Sequence, residues 1–280
     1  MARRRIADQP TSRLALWARR LALFSLTATV LAVIIVRADM LEIRPALATV
    51  AGAMSFAMLA MVLALGSFVP IWREGTEGFG RALTAMGIGI ALLAYPGYLG
   101  FKAYKLPAIS DISTDPIEPP AFVEVVRLRA RDANPTVYAG LYAAEQQRIA
   151  YPDVQPLLVQ ATPQAAFDAA IALANKRKWR VINARAPIAG RREGYAEAIA
   201  RTPIMGFRDD VVIRVRTDPD GARIDVRSSS RYGRYDFGTN ASRIHKFLED
   251  LEEQISDAAP EKVTPAPKKA QPARPAPAKR

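Results

Sequence analysis

The stretch ALATVAGAMSFAMLAMVLALGSFVPI (residues 46–71) runs for 26 residues without a charged side chain. A helix rises about 1.5 Å per residue and the hydrocarbon core of a bilayer is about 30 Å thick, so about 20 apolar residues cross it. The stretch predicts a membrane-spanning helix with length to spare for tilt. A second apolar run, 21–36, lies upstream, preceded by Leu14, Ala15, Leu16 and Trp17 and by Arg19 and Arg20. A third, 82–101, is uncharged, and its Tyr95-Pro96-Gly97 sequence predicts a break in its last third. Small residues four apart, Ala48/Gly52, Ala53/Ala57 and Ala85/Gly89, would let the helices pack closely. The first run shares a basic start and the small residues Ala28 and Ala32 with a cleaved signal peptide. Two more spanning segments follow it at once, and none of the three shows the polar face of a soluble helix. Residues 1–105 are therefore expected to form a membrane domain with spans at about 21–36, 46–71 and 82–101.

The net charge of +12 depends for its meaning on where the charges sit. Residues 1–105 carry 12 cations and 5 anions, residues 106–258 carry 21 of each, and residues 259–280 carry 6 and 1. The basicity thus belongs to the membrane flanks and a terminal tail, and a nucleic-acid partner is not expected. Arg3, Arg4, Arg5, Arg13, Arg19, Arg20, Arg73 and Arg81 flank one side of the predicted spans, against Arg37 and Arg44 in the 37–45 loop. The positive-inside rule puts the N-terminus in the cytoplasm and everything after the third span outside, in the periplasm of a bacterium with an inner membrane. The absence of Cys excludes disulfides, thiol catalysis and Cys-rich zinc sites, and the single His245 leaves no His-based metal cluster. No cofactor and no metal are expected.

After the third span, Pro107, Pro116, Pro119 and Pro120 mark residues 106–120 as a linker. Residues 121–258 then read as a soluble α+β domain. Residues 156–160 are a strand candidate; Thr162-Pro163 supplies a helix N-cap and a proline at the first helical position. Phe167, Ala170, Ile171 and Ala174 share one face of that helix. Strands follow at 179–186, 195–202, 210–217 and 222–230, the first two around a turn at 190–194, the last two around Asp218-Pro219-Asp220-Gly221. Val211, Ile213, Val215, Ile224 and Val226 would face a core, leaving Val212, Arg214, Arg216, Arg223, Asp225 and Arg227 on the other face, with Arg214 near Asp225. A helix at about 240–257 buries Ile244, Phe247, Leu248, Leu251 and Ile255. The β-α-β-β-β-β-α order predicts an antiparallel sheet with helices on one face. Residues 259–280, rich in Pro, Ala and cations, are expected to be disordered.

The densest polar segment is 227-RSSSRYGRYDFGTNASRI-244. Arg227, Arg231, Arg234 and Arg243, with Ser228, Ser230 and Asn240 as hydrogen-bonding partners and a helix N-terminus beside them, are the parts of an anion site. Arg243 in a first turn opposes the helix dipole and needs a counter-charge, either a bound anion or Asp236. In a second account, Asp209, Asp210, Asp225 and Asp236 pair with these arginines and fix a loop. In a third, the same four aspartates serve as catalytic carboxylates of an envelope hydrolase.

That segment, together with DISTDPIEPPAF (111–122), YPDVQPL (151–157) and GFRDDVVIR (206–214), resembles the family called domain of unknown function 1499. The resemblance covers about residues 110–255. It implies a domain that occurs in bacterial envelope and plant plastid proteins, often fused to membrane helices, and supplies no mechanism. The expectation is a membrane-anchored envelope protein whose outer domain binds or scaffolds an envelope component. Its partners would be the lipid bilayer, an anionic lipid or cell-wall precursor, and other envelope proteins.

Overall fold

The computed structural model describes residues 10–40, 43–188 and 193–258. Three long helices come first: α1 (Arg13–Arg37), α2 (Ile43–Glu74) and α3 (Phe79–Lys105). The side chain of Ser12 caps α1 by accepting from the Ala15 N–H. The three pack along a seam of alanines: Ala15, Ala18 and Ala22 on α1, Ala60 and Ala64 on α2, Ala82 and Ala85 on α3. Trp17, Phe24, Ile34, Val62, Leu65 and Ile90 point outward and are exposed. Small residues inside and large apolar residues outside is the reverse of a water-soluble bundle, and it suits helices whose outer face meets lipid. All three are long and apolar enough to cross a membrane, the mark of a multi-pass membrane protein.

Of the small-residue pairs, Ala53/Ala57 and Ala85/Gly89 lie buried in the bundle, whereas Ala48 and Gly52 are exposed. A Cβ at Gly89 would fall 2.4 Å from Met61 Cγ, so α2 and α3 approach closely there. The expected break at Tyr95-Pro96-Gly97 is absent: α3 is helical throughout, with Pro96 inside it. Proline removes one backbone bond, but in apolar surroundings opening the helix would leave many more groups unpaired. At one end of the bundle residues 10–12 join the α2–α3 loop, Ser12 N–H donating to Glu77 O (2.8 Å) and Glu77 N–H to Pro10 O (3.1 Å). Residues 106–188 and 193–258 sit at the other end.

There, β1 (Asp111–Ser113), α4 (Gly140–Ala150), β2 (Leu157–Val159), α5 (Pro163–Lys176), β3 (Arg180–Arg185), β4 (Glu193–Arg201), β5 (Arg208–Asp218), β6 (Gly221–Ser230) and α6 (Thr239–Ala258) follow. From β2 onward this is the β-α-β-β-β-β-α order expected from the sequence. The sheet order is β1-β6-β5-β4-β3, all antiparallel, with β2 sharing the outer edge of β6 with β1. In the β5–β6 hairpin Arg214 lies opposite Asp225, and Val211, Ile213, Val215, Ile224 and Val226 are buried. Helices α5 and α6 cover that face with Phe167, Ala170, Leu173, Ile244, Phe247 and Leu251. The expected turn at 190–194 falls mostly, and the tail 259–280 entirely, outside the described residues.

The opposite face is covered as well. Residues 114–139 cross it, placing Phe122 and Val125 on Ile199 and Val212. Residues 111–113, within the stretch read as a linker, are strand β1, with Ile109 and Ile112 in the main core. The prolines around them are compatible with this because β1 is a short edge strand that makes few ladder bonds.

Candidate functional site

The polar segment 227–243 begins at the end of β6, forms a loop, and enters α6. Arg227 is buried at 2% exposure. It makes a bidentate pair with Asp111 (2.9 and 2.6 Å) and donates to Pro120 O and Thr136 O. Its guanidinium stands 4.6 Å from the Phe122 ring centroid and 5.5 Å from that of Tyr138. Arg231 grips Asp210 through Nε and Nη2 and donates to Leu128 O; Arg129 takes the other side of the same carboxylate at 2.6 Å. Arg243 pairs with Asp209 (2.5 Å) and donates to Ser228 Oγ (2.7 Å).

The counter-charge for Arg243 is therefore Asp209. Asp236 instead caps the entry to α6, its carboxylate accepting from Gly238 and Asn240 N–H and from the Tyr151 hydroxyl. Asn240 donates to Ser110 O and Ser230 Oγ, and Ser228 donates to Asn240 Oδ1. Asp225 serves the other end of the sheet, with Arg214, Arg216 and Arg223 around it and Asp115 beside them. Burial pushes the carboxyls of Asp111, Asp209 and Asp236 up, against the pull of their partners. Asp115 is less buried; backbone and arginine contacts hold it below the usual range despite desolvation.

Seven residues were expected to bind and four aspartates were the catalytic alternative. The structure joins Asp209, Ser228, Ser230, Asn240 and Arg243 into one network, and Asp210 and Arg231 into a second. Arg227 lies apart with Asp111, and Asp225 lies apart with its three arginines. Arg234 alone among these is exposed and makes no ion pair or hydrogen bond among the described residues.

The profile of the family described as a protein of unknown function, DUF1499, matches residues 111–251. The chain belongs to this family. No curated protein and no solved structure matches it. The DUF1499 segment begins at β1, so Asp111 and its pairing to Arg227 tie the first matched residue to the last strand, β6.

Several polar residues of the DUF1499 segment hold it together without having been singled out by sequence. Glu197 is fully buried and accepts the N–H groups of Val123, Glu124 and Val125. Gln147 of α4 meets the Ser113 backbone with both amide atoms (2.9 and 2.7 Å). Asn134 donates to Ser230 O and Gly233 O. A carboxylate alone in the apolar run YAEAIA was the available signal for Glu197; Gln147 and Asn134 lie in segments with no periodicity to mark them.

The loop 231–238 also meets the membrane bundle. Lys102, near the end of α3, donates to Phe237 O at 2.9 Å. On the other side, Arg37 donates to Pro203 O (2.6 Å) and Ile204 O, Arg201 and Arg208 both hold Asp39, and Arg44 pairs with Asp132 (2.8 Å). Gly206, at φ +72°, brings its backbone against Arg37, where a Cβ would lie 3.0 Å from Arg37 Cγ.

Proposed function

We propose that this is an envelope protein of the bacterial inner membrane with a cytoplasmic N-terminus and a periplasmic DUF1499 domain that binds or scaffolds an envelope component at the membrane surface. One observation carries the reading. The loop richest in polar residues, 231–238, rests against the end of the membrane bundle through Lys102 and presents Arg234 exposed, with no partner among the described residues. A free guanidinium beside lipid headgroups attracts anionic partners, a lipid or a cell-wall precursor among them. The remaining arginines of the segment serve as a frame that fixes the loop.

The hydrolase alternative has less behind it, because Asp209, Asp210 and Asp225 are each held by arginines and Asp236 by backbone N–H groups. Native mass spectrometry of the membrane-extracted protein should find an anionic component bound to the wild type and diminished in Arg234→Ala. A reporter fused after Arg280 should be active only outside the cytoplasm. Equal recovery from both proteins would sink the role of Arg234, and a reporter active in the cytoplasm would sink the orientation.

A further inference from the structure

Between the α1–α2 loop and the outer domain lies a cavity of about 300 Å³. Val36, Met40 and Ile43 line it from the membrane hairpin; Leu128, Phe207 and Tyr232 line it from the domain. The same walls carry Asp39, Asp132 and Arg231, and also Arg44 and Arg208. The side chains of the last two stay 70% and 37% exposed although each has a carboxylate partner. The cavity opens where two spanning helices end, which is the depth of lipid headgroups and upper acyl chains. Its size is at the lower end of the range for small-molecule sites.

The charges around it do not cancel. Arg37, Arg44, Arg201 and Arg208 face only Asp39 and Asp132 among the described residues, and Arg37 is met by carbonyl groups alone. Arg231, also in the wall, shares Asp210 with Arg129 behind it, which adds one more uncompensated positive charge. Apolar side chains and guanidiniums on both walls and an excess of positive charge fit an amphiphile with an anionic head.

We propose that this junction cavity binds an anionic phospholipid, its phosphate met by Arg44 and Arg208 and the start of its acyl chains by Met40, Ile43 and Phe207. The inference rests on the membrane-anchored reading above and adds a site distinct from Arg234. The lipid would bridge hairpin and domain, so bound lipid and the docked arrangement reinforce each other.

The test uses the full-length protein in nanodiscs of phosphatidylcholine with or without phosphatidylglycerol, followed by release and native mass spectrometry. The wild type should retain one phosphatidylglycerol. The Arg44→Gln/Arg208→Gln double variant should retain it about tenfold less, as loss of charge-assisted contacts implies. Leu128→Trp, which fills the cavity and removes no charge, should also exclude the lipid, with thermal unfolding confirming that each variant is folded. Equal retention by wild type, the double variant and Leu128→Trp overturns the site while leaving membrane anchoring intact. Retention of phosphatidylcholine as strong as that of phosphatidylglycerol overturns the role of charge. Displacement by inorganic phosphate at comparable affinity identifies a soluble phosphate ligand instead of a lipid. Extraction of the protein from membranes by alkaline carbonate would overturn the anchoring reading itself.

Discussion

At the scale of single residues, the informative fact is how completely three of the four arginines of the 227–243 segment are used. A buried guanidinium is tolerated only with charge and hydrogen-bond partners, and Arg227 has Asp111, two carbonyls and two aromatic faces. Arg227→Ala would leave Asp111 buried without its partner, and the expected cost is about 3–5 kcal/mol, read from denaturant unfolding. Arg234→Ala should change stability by less than about 0.5 kcal/mol, because that side chain is exposed and unpaired. If the two substitutions destabilise equally, the division between frame and free cation is wrong. The residue types were visible in the sequence, but the pairing was not. Arg227 and Asp111 are separated by more than a hundred positions, and no spacing rule connects them.

At the scale of elements, the β5–β6 hairpin was the most legible part of the domain. Alternating valines and isoleucines set which face is inward, and Asp218-Pro219-Asp220-Gly221 sets the register that brings Arg214 to Asp225. Gly221 has a second duty that only packing reveals. At φ +145° its missing Cβ makes room for Val159 O, which would lie 2.2 Å from that atom, so the turn is pressed against β2. Gly221→Ala should therefore destabilise the domain by more than about 1 kcal/mol and raise amide exchange in β2 ahead of β5. Unchanged exchange at Leu157–Val159 would count against this. Strand β1 and helix α4 escaped the sequence because neither has a hydrophobic period of its own. The first is three residues long, and α4 buries only Ala143 and Gln147.

At the scale of the whole molecule, the domain is fastened to the bundle through few groups, chiefly Asp39 with Arg201 and Arg208. Asp39 sits at φ +58°, a left-handed conformation that Asp tolerates better than most residues. Burial pushes its carboxyl up, but the two guanidiniums outweigh this and hold it below the usual range. A carboxyl lowered in the folded state contributes stability at neutral pH that is lost as pH falls through its folded value. Acidification should therefore loosen the dock. The chain has no Cys, so spin labels at Met40→Cys and Ile204→Cys can report the separation directly. The distance distribution should broaden on acidification and, in Asp39→Asn, already be broad at neutral pH. A distribution in Asp39→Asn identical to wild type would show that the clamp does not hold the two parts together.

The sequence by itself determined the three spanning helices and the β-α-β-β-β-β-α core. Both follow from local rules: enough apolar length to cross a bilayer, and periodicities of 3.6 and 2 that declare a buried face. The tertiary structure alone decided the fate of the charges. It turned residues 111–120 from an expected linker into edge strand β1 and the start of the segment that covers the sheet's second face, gave Arg243 to Asp209, left Arg234 free among the described residues, and opened a cationic cavity where hairpin and domain meet. The reason is physical: a charge acts over several ångströms through space and takes whichever partner the fold brings near, so its role is fixed only once distant segments have been packed together.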